Sequence, residues 1–179
     1  IDSMSEVEKV FGSDLLSTLY TVAEDVKFQI TFDPSAVSEY RLVGYENRLM
    51  NNEDFENDAK DAGEVGSGHE LVVCYEIKTT DTEDVKEQLA TLKVRYKDPG
   101  ELEANENAYM ITPDAYTEDP SEDLKFASAV IVTSMVLHRS EYLDEGIDMS
   151  YVSITLNSID ISDYYKREFK QLVGKLTEG

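Results

Sequence analysis

The apolar residues change period partway along the chain, and that change limits the possible folds more than any single motif. Val26, Phe28, Ile30 and Phe32 alternate with Lys27, Gln29, Thr31 and Asp33 until Pro34. Such a period of two puts every second side chain on one face of a strand, and a proline ends the ladder. Tyr40 to Glu46 is a second strand candidate. Leu71, Val73, Tyr75 and Ile77 alternate with Val72, Cys74, Glu76 and Lys78. Leu92, Val94 and Tyr96 alternate with Thr91, Lys93, Arg95 and Lys97 up to Pro99-Gly100, and a weaker strand covers Ala108 to Thr112. Strands with no helices between them predict an antiparallel sandwich.

Beyond Pro120 the period is helical. Asp119-Pro120-Ser121-Glu122 reads as a cap, a proline at the first helical position and a glutamate two residues further on. The helix it opens is expected to run to about Arg139 and to be buried on more than one face. A second helix is expected over Met149 to Ile159. In a third, Tyr165, Phe169, Leu172 and Leu176 share a face, with Leu172 buried. At the other end, Ser5 and Glu8 have capping-box spacing, and Val7, Phe11, Leu15, Leu19 and Val22 recur at helical steps. The expected class is α+β: an N-terminal helix, then an antiparallel β-sandwich (Ig-like), then a C-terminal helical bundle. The expected divisions are 1–22, 23–118 and 119–179.

Charge narrows the function. Sixteen Lys and Arg against 38 Asp and Glu give a formal charge of −22. A surface that acidic repels nucleic acid and anionic lipid. The 41% of hydrophobic residues still predicts a folded chain. The uncharged run Phe126 to Leu137 falls short of the roughly 20 residues a membrane span needs, so no membrane span is expected. Cys74 stands without a second cysteine, and with two histidines it cannot build the usual zinc site. Ile1-Asp2-Ser3-Met4-Ser5 has neither the basic nor the apolar region of a signal peptide, which leaves localisation open.

The charge is unevenly spread. Residues 46–64 hold seven carboxylates against Arg48 and Lys60, and residues 98–123 hold nine with no Lys or Arg. Lys27, Lys93, Arg95 and Lys97 fall on the polar side of their strands. That face is either solvated or covered by an acidic neighbour, a loop of this chain or another domain.

No catalytic constellation emerges. Gly63-Glu64-Val65-Gly66-Ser67-Gly68 precedes a strand, whereas phosphate loops open a helix. Ser67 lacks the spacing of a nucleophile elbow. His69 reads as a turn residue and His138 as a helix end. The acidic connections could attract calcium, but the EF-hand spacing is missing. The expectation is therefore no enzyme, no catalytic residue, no cofactor and no metal. The alternatives are a calcium-stabilised adhesin segment, or an enzyme with a carboxylate-based site in loop 46–64.

Long strings of the chain resemble one family. They are Asp25 to Pro34, Tyr40 to Arg48, Asp54-Phe55, Asp61 to His69, Tyr75 to Ile77, Leu89 to Lys97, and Tyr165 to Val173. Together they are similar to the uncharacterised domain that follows the von Willebrand factor type A domain in bacterial YfbK-type proteins. The resemblance implies an accessory module that supports protein–protein binding or adhesion. Its partners would be the A domain of the same chain and another protein, in an extracytoplasmic setting of the bacterial cell envelope, sometimes as a lipoprotein. It also implies that helix 3–22 is the last A-domain helix, whose orphaned apolar stripe could pair two copies. Divalent metal would belong to that A domain. Its signature Asp-x-Ser-x-Ser is incomplete at Asp33, Asp119, Asp148 and Asp160, whose fifth positions are Val37, Asp123, Val152 and Tyr164.

The connection from about Asn47 to Ser67 is longer than most loops. It carries the expected contact surface, made of Tyr45, Arg48, Asp54, Phe55, Asp61 and His69. Phe55 would anchor it and Arg48 would pair with Asp54 or Asp61. The alternative is a loop that merely covers one end of the sandwich.

Overall fold

The computed structural model describes residues 4, 7, 15, 19–45, 49–80 and 88–177. They fall into two compact units, residues 1–116 and 117–179.

In the first unit the alternating segments form strands β1 (Thr21–Phe32), β2 (Val37–Val43), β3 (Gly63–Gly66), β4 (Cys74–Thr79), β5 (Ala90–Lys97) and β6 (Asn105–Ile111), with a one-turn helix α1 (Asn52–Phe55). One antiparallel sheet has the order β3-β1-β5-β6, and β2 pairs with β4 in a second. Phe28 lies opposite Val94, Ile30 opposite Leu92 and Phe32 opposite Ala90, which gathers one apolar face. Lys27 opposite Arg95, and Gln29 opposite Lys93, form the other. The Phe32 ring stacks 4.6 Å from Tyr40 and 5.5 Å from Tyr75, linking the sheets.

Several boundaries correct the sequence reading. β1 begins at Thr21, so the expected N-terminal helix cannot reach Val22; β-branched Thr21 and Val22 suit a pleat better than a helix. Most of helix 3–22 lies outside the described residues; of its apolar stripe, Val7, Leu15 and Leu19 are helical, with Leu15 and Leu19 exposed, and Phe11 lies outside the described residues. β2 stops at Val43 because Gly44 and Tyr45 adopt left-handed φ of 75° and 59°. β4 starts at Cys74, since Leu71, Val72 and Val73 have no partner strand among the described residues. The long connection contains α1 and β3, and so is not structureless.

The second unit holds α2 (Glu122–Leu137), α3 (Met149–Asn157) and α4 (Tyr164–Thr177). Ser121 caps α2 by accepting from the Leu124 N–H, while Asp119 pairs with Lys125, so the cap is Ser121 and not Asp119. Asp148 caps α3 through the Ser150 and Tyr151 amides. Ala129, Val152, Leu156, Ile159 and Val173 form the core, flanked by Phe126, Val132, Met149, Ile161 and Phe169. Leu172 is 54% exposed and Val173 takes the buried place, because α4 is rotated so that Phe169 and Val173, four apart, face inward. α2 buries only Ala129 and Thr133 fully, while Leu124, Val130 and Leu137 stay exposed.

Candidate interaction surface

The polar face of the four-stranded sheet determines where the acidic loop lies. A bulge in β1 puts Asp25 at φ 52°, and the register shifts between Glu24 and Lys27. A non-glycine residue pays strain there, and Asp tolerates it better than most. The bulge turns the Asp25 carboxylate to accept from Lys97 Nζ at 2.7 Å and from the Ala62 N–H at 3.0 Å.

Three cations then hold residues 54–58 on the sheet. Lys27 is 4% exposed, and its Nζ donates to the carbonyls of Asp54 at 3.2 Å and Asn57 at 2.5 Å. Arg95 donates from Nε and Nη2 to one Asp58 oxygen at 3.1 and 2.9 Å. Lys97 donates to the Asp58 carbonyl at 2.7 Å as well as to Asp25. On the far side, Glu106 of β6 accepts from Lys93 at 2.9 Å and from Arg95 at 3.3 Å. Of the two readings of the basic face, the covered one holds, and the cover is this chain's own acidic loop. A buried ammonium bonded to carbonyls in this way leaves little charge unsatisfied.

The network shifts its own proton equilibria. The Lys97 hydrogen bond, then the Ala62 amide, hold the Asp25 carboxyl below its ordinary 3.8. Arg95 does the same to Asp58, which in turn raises the Arg95 guanidinium. Lys93 lowers Glu106. Every one of these shifts favours the charged form, as structural pairs do.

The expected surface residues divide around this strap. Phe55 is 3% exposed, so it works as the anchor and is not itself a contact. Asp54 is half-buried on α1, its carboxylate 3.6 Å from Lys60. Asp61 is exposed just before the amide that Asp25 holds. Tyr45 follows β2 and His69 follows β3, both exposed, on separate connections. Arg48 lies outside the described residues. Sequence reasoning missed Asp25 and Asp58 as the carboxylates that hold the loop. The clue was Asp25 breaking the β1 alternation at its start.

A mixed α+β module, with two antiparallel sheets and a loop strapped to its own sheet in one unit and three helices in the other, is the class that this geometry defines. The sequence profile of the C-terminal region of "uncharacterized protein YfbK" matches residues 17–178, and the chain belongs to that family. It is 36% identical to the Escherichia coli (strain K12) "uncharacterized protein YfbK", over 80% of this chain and 28% of that relative. It thus spans little more than a quarter of that relative's length. No solved structure matches.

Proposed function

We propose that this chain is a non-catalytic accessory module that binds protein through the strapped loop, next to a von Willebrand factor A domain in the cell envelope. The observation that carries the reading is the state of the loop. Lys27, Arg95 and Lys97 fix it from beneath, and Asp61 within it is exposed, as are Tyr45 after β2 and His69 after β3. A loop ordered before its partner arrives loses less entropy on binding. Phe55 and Asp54 hold the loop, and Tyr45, Arg48, Asp61 and His69 make the contact.

The sandwich and bundle arrangements belong to the same proposal. They are supported by the Phe32 contacts with Tyr40 and Tyr75, and by the core that α2, α3 and α4 share.

The test is calorimetric binding of a separately expressed A domain to this chain, before and after Tyr45→Ala and Asp61→Lys. Both positions are exposed, so both variants should fold. Weaker binding by either supports the reading; unchanged binding by both makes the loop a cover and nothing more.

A further inference from the structure

The four-stranded sheet ends in two edges of different character. β3 is four residues long and begins and ends in glycine, a blunted edge. β6 is seven residues long, and among the described residues it pairs only with β5. Strand edges that avoid further pairing carry lysine, proline or a bulge. β6, Asn105-Glu106-Asn107-Ala108-Tyr109-Met110-Ile111, has none of these, and its register with β5 is unbroken from Tyr96 to Ala90. Tyr109 and Met110 are 53% and 64% exposed. The one charge in the strand, Glu106, is already held by Lys93 and Arg95. By contrast, the β2–β4 ladder carries Arg41–Glu76 and Lys78–Glu39 pairs across it.

The flanks say what chemistry such an edge accepts. Glu101 and Glu103 precede β6 and Asp114 follows it, all exposed, in a stretch without Lys or Arg. Two copies pairing antiparallel through β6 would set the glutamates of each beside the aspartate of the other, at both ends. Like charges opposed across a ladder are destabilising, and each whole chain carries −22. A second copy is therefore the wrong occupant.

We propose that the β6 edge binds an extended segment of a partner protein with lysine or arginine at both ends and alternating apolar residues between. The segment adds a strand to the sheet. Its backbone continues the ladder, its apolar residues lie beside Ala108 and Met110 on one face, and its ends meet Glu101, Glu103 and Asp114. This surface is distinct from the strapped loop, and neither reading depends on the other.

The test is fluorescence anisotropy with the intact chain and a labelled peptide carrying two lysines at each end and alternating valine and threonine between. A second peptide has glutamates for the lysines. A third keeps the lysines but has alternate backbone amides methylated, which removes ladder donors and leaves charge unchanged. Expected are saturable binding of the first peptide, at least about tenfold weaker binding of the other two, and slowed hydrogen exchange of β6 amides. Met110→Lys, a solvent-facing change that leaves the fold intact, should weaken binding similarly. Equal binding of the methylated peptide would reduce the effect to charge attraction and overturn the proposal. Failure of the first peptide to bind, equal binding of the glutamate peptide, or dimerisation through β6 in sedimentation equilibrium would also overturn it.

Discussion

Lys27 binds the carbonyls of Asp54 and Asn57, each of which also accepts a loop amide: Asn57 N–H at 3.4 Å for Asp54, and Lys60 N–H at 3.1 Å for Asn57. Lys27→Met keeps most of the stem and removes the ammonium. The variant should lose about 1.5–3 kcal/mol in urea unfolding, the size of a hydrogen bond to a charged group. Lys78→Met, at an exposed pair with Glu39, should stay within about 0.5 kcal/mol. Equal losses at both positions would mean that Lys27 does not hold the strap. Protons should loosen the same network. Asp25, Asp58 and Glu106 are all held below their ordinary values of 3.8, 3.8 and 4.5. The unfolded chain therefore takes up protons first as pH falls, so the stabilisation is present above those values and is lost as pH drops through them to the folded ones. Exchange of the Ala62 amide should speed up below about pH 4 before global unfolding does. At this scale the sequence showed that Lys27, Lys93, Arg95 and Lys97 share a face. It could not show what met them, because the Lys27 partners lie 27 and 30 residues away in the chain.

At the scale of elements, the period identified strands and helices better than it placed their ends or their rotation. Leu172 and Val173 are adjacent, so either could have lain on the inner stripe of α4. Only packing against α3 and α2 selects Val173. Leu71 to Val73 continue the strand pattern but have no partner strand among the described residues, and alternation alone cannot supply one. The helical unit offers a sharp comparison. Leu156 is fully buried at the centre of its core, so Leu156→Ala should cost about 2–5 kcal/mol. Leu172→Ala, on the exposed side of α4, should cost no more than about 0.5 kcal/mol. Thermal unfolding followed by circular dichroism separates the two. Similar losses would mean that α4 presents its Leu172 stripe inward after all.

For the whole molecule the governing quantity is the imbalance of 38 carboxylates against 16 cations. The cations on the sheet are already paired: Lys93 with Glu106, Arg95 with Asp58 and Glu106, Lys97 with Asp25. What remains is an excess of exposed negative charge that repels itself in the folded state. Salt acts on the two populations unequally. Raising ionic strength from 0.01 to 0.15 M shortens the screening length from about 30 to about 8 Å. That weakens repulsion between distant surface carboxylates, while pairs in direct contact and partly shielded from water lose less. The Tm should therefore rise steadily with added potassium chloride over that range. A fall would show that ion pairs such as Lys97–Asp25 outweigh the repulsion, and that the strap contributes more to the fold than its few contacts suggest. Melts of Lys27→Met and parent in the same salt series separate the two effects. Repulsion from the wider surface predicts parallel rises, because the loop's own carboxylates are a small part of the excess.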